Sequence, residues 1–100
     1  MILKKNEPIR CADGFTMSVQ ANQRAYCTPR TDNAERYTEV EVGYPSEAEP
    51  LLLEWAEDPQ APTNTVYGWV PAERVSLILV KHGGIVSGDL PPGIPILTAN

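Results

Sequence analysis

Ten prolines are spread along this chain of 100 residues, about twice the average share. Because proline fixes its own φ angle and has no amide hydrogen, it interrupts helices and the central strands of sheets. The chain is therefore expected to form short elements joined by turns and extended connections. Its length suits one domain with a modest core, since a second independent core would need more chain.

Short apolar and alternating segments predict an antiparallel sheet of about four strands. The strand candidates are residues 9–12, 15–20, 25–28, 37–43 and 65–70. In the clearest of them, side chains of one kind recur at every second position, which is the period of a half-buried strand. Val40 and Val42 are predicted to face the core, and the opposite, exposed side is predicted to carry Tyr37, Glu39 and Glu41.

The last strand candidate carries two large aromatic residues. Its alternation predicts Val66, Gly68 and Val70 on one side of the strand. Tyr67 and Trp69 are predicted on the other side, where they serve either as core or as anchors of a protein interface.

Two segments are predicted to form short helices. One begins at Glu49 or Pro50, because proline is favoured at the first helical position, and it ends before Pro59. The other begins at Pro71 and ends near His82, where basic residues and then glycines follow the pattern of a helix C-terminus. The fold class predicted from these elements is α+β, with an antiparallel sheet of about four strands and two short helices on one face.

The chain is predicted to divide near residue 85. Residues 1–85 form the single α+β domain, and residues 86–100 form a proline-rich C-terminal arm. The apolar residues between the prolines of the arm can pack on the domain or on a partner, and both uses require the same side chains. No apolar run approaches the ~18 residues of a membrane span, and no secretory signal follows the first residues. A cytoplasmic location is therefore expected.

Acidic residues are concentrated in the middle third of the chain. Residues 31–60 contain nine acidic side chains and one basic side chain, so this segment carries a charge of −8. Direct binding of nucleic acid is disfavoured, because it requires clustered lysine and arginine. The segment can instead meet a basic protein surface, or it can be a solvated face that keeps a small protein soluble.

The residue types needed for common catalytic and metal sites do not occur at the required spacing. Cys11 or Cys27 could form a nucleophilic pair with His82, but no local signature of such enzymes surrounds them. Two cysteines and one histidine cannot complete a tetrahedral zinc site without carboxylates. Glu39 and Glu41 are interpreted as neighbouring surface carboxylates. No enzyme activity, metal or cofactor is predicted, and whether the two thiols are free or bonded is left open.

Several stretches give the chain its resemblance to known proteins. They are residues 43–47 (GYPSE), 57–59 (EDP), 70–75 (VPAERV) and 82–84 (HGG). In these stretches, and in its size, the chain resembles the small single-domain accessory proteins of bacteriophages and prophages. Anti-CRISPR and other anti-defence inhibitors among those proteins are similar in size and acidity. The resemblance implies an inhibitor that binds a nucleic-acid-handling complex through acidic surface residues.

The leading hypothesis is a phage-encoded, non-enzymatic inhibitor of a host defence complex of the CRISPR type. Its partner would be a host protein or ribonucleoprotein with a basic surface, without direct contact to nucleic acid or membrane. The candidate binding residues are Tyr37, Glu39, Glu41, Glu54, Glu57 and Asp58. One alternative is a virion structural or assembly protein that forms homodimers or larger homo-oligomers. Another is a small-molecule signal-binding protein, which would require Arg10, Arg24 or Arg30 to converge on a pocket.

Overall fold

The computed structural model describes residues 5–96, and within that range five strands form one antiparallel sheet. Their bounds are β1 Ile9–Cys11, β2 Thr16–Gln20, β3 Glu39–Gly43, β4 Val66–Pro71 and β5 Ile85–Ser87. The strands lie across the sheet in the order β4, β3, β2, β1, β5, and each neighbouring pair is antiparallel. The ends of the predicted domain and of the predicted arm, residues 1–4 and 97–100, lie outside the described residues.

Two helices accompany the sheet within this range, a 3-10 helix at Pro50–Trp55 and an α-helix, α1, at Ala72–Lys81. The carboxylate of Glu49 caps the 3-10 helix by accepting a hydrogen bond from the Leu51 amide at 2.9 Å. α1 ends before His82, and glycines follow, as the sequence predicts. The predicted α+β class with an antiparallel sheet is confirmed, but the sheet has five strands where about four were expected.

The strand count differs from the prediction for two reasons. β5 lies across the predicted boundary between domain and arm, and its three residues are too few to show a period. Conversely, the candidate strand at 25–28 contributes only an isolated bridge between Thr28 and Glu39. The amide of Tyr26 donates to the side chain of Glu41 rather than to a backbone carbonyl, so this segment does not join a ladder.

The core lies on one face of the sheet, against which both helices pack. α1 contributes Val75, Ile78 and Leu79, and the 3-10 helix contributes Leu52. Outward-facing polar residues alternate with the sheet residues of the core, as expected for half-buried strands. The sheet residues of the core are Ile9, Cys11, Met17, Val19, Val40, Val42, Tyr67 and Val70.

A bulge interrupts the pairing of β3 with β4. Glu41 of β3 lies opposite two residues of β4, Gly68 and Trp69. The backbone of Trp69 has a φ of 54°, a left-handed conformation that bulky residues rarely adopt. Because of the extra residue, Tyr67 is buried whereas Trp69 is 46% exposed. The predicted alternation, which placed both rings on one side of the strand, is therefore wrong.

The described part of the C-terminal arm packs on the domain. The Tyr37 amide donates a hydrogen bond to the Pro92 carbonyl at 2.9 Å, and the Ser76 hydroxyl donates to the Pro95 carbonyl. Ile94 is buried against the core. Of the two uses open to the arm, packing on its own domain is the one observed for its residues up to 96.

Candidate functional site

Three of the predicted acidic contacts lie near the 3-10 helix. Glu54, Glu57 and Asp58 are all exposed, at the end of that helix and in the turn that follows it. Each of the three ion pairs within residues 5–96 includes Glu49 or His82. Glu54, Glu57 and Asp58 therefore form no ion pair with a cation among residues 5–96.

The other two acidic contacts lie on the outer face of the sheet. Glu39 and Glu41 are half-buried there, beside the connection between β2 and β3. The Thr28 hydroxyl donates to Glu39 Oε1 at 2.7 Å, and the Tyr26 amide donates to Glu41 Oε2 at 3.0 Å. Each carboxylate thus uses one oxygen to hold the connection on the sheet. These two residues share a strand face, whereas the other three belong to the segment beside the β4 edge.

Tyr37 is not part of an exposed face. It is 2% exposed, and its hydroxyl donates to the Thr31 carbonyl at 2.6 Å and accepts a hydrogen bond from the Ala34 amide at 3.2 Å. β3 begins only at Glu39, so the alternation of that strand does not extend back to Tyr37. The prediction of an exposed tyrosine anchor is therefore wrong, and the ring instead stabilises the connection before β3.

An aromatic stack lies beside Glu41 on the outer face of the sheet. The rings of Tyr26 and Trp69 are stacked, with centroids 5.0 Å apart and an interplanar angle of 21°. Arg30 Cζ lies 5.4 Å from the centroid of the Tyr26 ring. The Trp69 amide donates to the Tyr26 carbonyl at 2.9 Å. These contacts fix an exposed tryptophan next to a carboxylate, an arrangement that the predicted alternation did not place on the surface.

A buried cluster surrounds His82 at the end of α1. Nδ1 of His82 lies 2.6 Å from Asp13 Oδ2, in the turn between β1 and β2, and Nε2 lies 2.7 Å from Glu49 Oε1. The other oxygen of Glu49 accepts a hydrogen bond from Lys81 Nζ at 2.9 Å. The imidazole also stacks on Phe15, with ring centroids 4.0 Å apart. His82 is 5% exposed and Glu49 is 2% exposed, so these two charges are shielded from water, whereas the side chains of Lys81 and Asp13 are 45% and 48% exposed.

These contacts favour the charged form of each group in the cluster. Burial by itself lowers the pKa of His82, but the hydrogen bonds and charges of Glu49 and Asp13 outweigh it and raise the pKa. Burial by itself raises the pKa of Glu49, yet the hydrogen bond from the Leu51 amide, together with Lys81 and His82, lowers the pKa. The Phe15 amide and then His82 lower the pKa of Asp13. Because each ring nitrogen faces a carboxylate, the contacts favour the imidazolium, which can donate from both nitrogens.

His82 does not form the nucleophilic pair that the sequence left open. Both of its ring nitrogens face carboxylates, so neither is directed at a thiol. Cys11 and Cys27 are free and buried, and burial raises the pKa of both thiols. The cluster connects three distant segments of the chain: the β1–β2 turn, the start of the 3-10 helix and the end of α1.

Of the three arginines required by the small-molecule alternative, Arg24 lines a groove that Arg10 and Arg30 do not share. Arg24 lines a groove of about 290 Å³ on the outer face of β2 and β3. Arg30 lies over Tyr26, and Arg10 lies on β1, away from that groove. Arg10 and Arg30 do not line that groove, so the observed geometry does not favour this alternative.

Comparisons with known proteins do not indicate a family or a function for this chain. Neither a protein-family model, a curated protein nor a solved structure matches the chain significantly. Among the described residues, no group of three or more histidine, cysteine, aspartate or glutamate side chains is arranged to hold a metal ion. No helix between residues 5 and 96 has the length and apolar character needed to cross a membrane. The function must be inferred from the residues of this chain alone.

Proposed function

We propose that this chain is a phage-encoded, non-enzymatic inhibitor that binds a host defence complex through an acidic surface. The observation that carries the proposal is the exposure of Glu54, Glu57 and Asp58 without an ion-pair partner among residues 5–96. A protein cleft that binds nucleic acid is lined with lysine and arginine that neutralise phosphates. Carboxylates fixed on a folded surface offer such a cleft the same sign of charge as the phosphates.

The distribution of charge supports the same kind of partner. The charge of −8 on residues 31–60 attracts basic surfaces over a distance and speeds association with them. The same charge repels nucleic acid itself. The resemblance to phage accessory proteins supplies the setting, the cytoplasm of an infected host cell. The partner is a host protein or ribonucleoprotein with a basic surface, and the binding requires neither a cofactor nor a membrane.

Reversing two of these charges is expected to weaken binding of the partner. In E54K/E57K, affinity for a partner recovered from host lysates should fall about tenfold or more, because attraction becomes repulsion. Asp58 is left unchanged, since its carboxylate accepts a hydrogen bond from the Gln60 amide at 3.0 Å and stabilises the local turn. The measurement is a pull-down with the tagged chain at low and high salt, followed by titration of the recovered partner.

The matched control is E7K/E35K, because Glu7 and Glu35 are also exposed and the change in net charge is the same. This control should keep most of the wild-type affinity. Equal recovery of the partner by E54K/E57K would contradict binding through these carboxylates. A wild-type complex that is insensitive to salt would contradict it as well, since exposed charge pairs are screened by ions.

One observation favours a second candidate, a virion structural or assembly protein that forms homo-oligomers. β5 is an edge strand that pairs only with β1, and all three of its residues are exposed, including Val86 at 65%. An open edge strand with apolar side chains is a template for pairing with a second copy. Pro92, Ile94 and Pro95 of the arm are already packed on the domain, so the proposed contact is β5, whose last two residues begin the arm.

A homo-oligomer formed through β5 should dissociate when that edge is charged. Light scattering is expected to give a dimer or larger species for the wild type and a monomer for Val86→Lys, because pairing would bury the new ammonium. Leu77→Lys is the control, since Leu77 is also apolar and is 50% exposed but lies on α1. A monomeric wild type at high protein concentration would eliminate this candidate. Deleting residues 86–100 is a poorer test, because it also uncovers Tyr37.

A further inference from the structure

The backbone holds Trp69 in an exposed position. Its φ of 54° is an outlier for a bulky residue, and its amide is bound by the Tyr26 carbonyl at 2.9 Å. The residue nevertheless stays 46% exposed. Strained conformations of this kind persist where the surrounding structure fixes them, and they cluster at sites that bind ligands. Trp69 therefore provides a large apolar surface whose orientation is set before any partner arrives.

Two carboxylates lie on β3, the strand that pairs with the Trp69 strand. Glu41 is directly opposite Gly68 and Trp69 in the pairing of β3 with β4, and Glu39 lies two residues away on the same strand face. Glu41 Oε2 and Glu39 Oε1 bind the connection between β2 and β3. Neither remaining oxygen accepts a hydrogen bond or joins an ion pair within residues 5–96. These oxygens are available to donors from another molecule.

An indole face beside carboxylate oxygens suits a guanidinium group. The flat face of a guanidinium stacks on an aromatic ring while its N–H groups donate to carboxylates. The chain already makes the stacking contact within itself: Arg30 lies over Tyr26 at 5.4 Å, and Arg74 lies over Trp55 at 5.2 Å. Trp69 stacks on the same Tyr26 ring, and 46% of its surface is exposed.

We propose that Trp69, Glu39 and Glu41 form an arginine-binding face that receives an arginine side chain of the basic partner protein. This inference rests on the proposed function and adds that the partner is recognised by a guanidinium rather than by positive charge alone. Lysine fits this face less well, because its ammonium is a compact, strongly hydrated charge without a flat surface. Single-stranded nucleic acid fits poorly, because the two carboxylates repel its phosphates.

The test compares two short peptides of equal charge, acetyl-tetraarginine amide and acetyl-tetralysine amide. Each is titrated into the ¹⁵N-labelled full chain while amide and indole signals are followed by NMR. The arginine peptide should shift the Trp69 indole signal and the Glu39 and Glu41 amide signals saturably, and about threefold or more tightly than the lysine peptide. Trp55→Phe assigns the two indole signals, and it should leave this selectivity unchanged.

Two variants test the face itself. Trp69→Asn removes the ring but keeps a residue that tolerates a positive φ, and it should abolish the preference for arginine. Glu41→Gln keeps an oxygen for the Tyr26 amide but removes the charge, so binding of the arginine peptide should weaken severalfold while the fold is preserved. The backbone amide spectrum of each variant reports whether the sheet is intact.

Three results would overturn the arginine-binding face. Equal shifts with both peptides would mean attraction by net charge alone, and shifts confined to residues 54–58 would place the contact elsewhere. Stronger shifts of the Trp69 indole with oligothymidylate would identify a nucleic-acid surface instead. If E54K/E57K no longer binds the partner but the arginine peptide does not shift the Trp69 indole signal, this inference fails and the proposed function stands. If Trp69 prefers arginine but no partner depends on the acidic surface, the proposed function fails alone.

Discussion

Replacing His82 by leucine is expected to lower the free energy of unfolding by about 3–5 kcal/mol, the range for removing one partner of a buried ion pair. The imidazolium donates to Asp13 on one side and to Glu49 on the other. Glu49 is 2% exposed, so water cannot replace the lost donor at its Oε1. Lys81 still neutralises the other oxygen. The stacking contact with Phe15 is lost as well.

Chemical denaturation near pH 6 measures this loss, and Asp13→Asn is its control. The carboxylate of Asp13 is about half exposed, with a side-chain exposure of 48%, so solvent compensates much of what this change removes. Asp13→Asn should therefore cost far less than His82→Leu. A loss below about 1 kcal/mol for His82→Leu would show that the cluster contributes little net stability.

The same contacts predict how the stability of the wild type varies with pH. The pKa of His82 is raised, so its contribution is complete below the ordinary histidine pKa and is lost as pH rises through the raised value. The pKa values of Glu49 and Asp13 are lowered, so their contribution is complete above the ordinary carboxylate values and is lost as pH falls through the lowered ones. Stability should be greatest between about pH 4.5 and 6.5.

His82→Leu should lack the decrease in stability on the alkaline side, because no imidazolium remains to lose its proton. An alkaline decrease of equal size in both proteins would assign it to other groups. If His82→Leu is too unstable to fold, the wild-type pH profile and Asp13→Asn still test the cluster.

Alanine at position 93 is the second change for which a large loss is expected, about 3–5 kcal/mol. Gly93 has a φ of +106°, where any side chain is strained, and an added Cβ would lie 2.7 Å from the Tyr37 carbonyl oxygen. It would also lie 2.8 Å from the Tyr37 amide nitrogen. A flexible side chain could relieve such a clash by changing its rotamer, but these backbone atoms cannot. The arm must therefore lift from Tyr37, and Ile94 must leave the core.

Gly84→Ala is the matched control for this change. Gly84 has a similar φ of +91°, but an added Cβ there would meet nothing within 4 Å. Only the conformational cost remains, about 1–2 kcal/mol. The difference in unfolding free energy between the two variants measures the steric contact between the arm and Tyr37. Equal losses would contradict tight packing of the arm at that point.

Local patterns in the sequence were sufficient for much of the fold. The alternation of residues 15–20 predicts β2, and the proline and glycines around α1 predict its two ends. These signals lie within each segment, so no knowledge of distant contacts is needed to interpret them. The class of the fold follows from them, because short alternating strands and amphipathic helices must bury their apolar faces against one another.

Contacts between distant segments explain where the predictions fail. The bulge at Trp69 depends on how β4 meets β3, and the burial of Tyr37 depends on its contacts with the connection before it and with the arm. Sequence reasoning interprets His82 as a charge near a helix end, because neither Asp13 nor Glu49 is a neighbour in the sequence. The available signal was a lone histidine near the end of an apolar helix face, and this signal does not indicate which residues contact the imidazole.

The separation of Asp13, Glu49 and His82 along the chain has a consequence for the order of folding. Their segments can meet only after the β1–β2 hairpin, the 3-10 helix and α1 have come together. Closing such long loops costs conformational entropy, which only the contacts between these elements can offset. The cluster should thus form late, after the transition state. In stopped-flow kinetics, His82→Leu should leave the refolding rate almost unchanged and accelerate unfolding. The three charged residues would then determine how slowly the native state unfolds, and not how fast it forms.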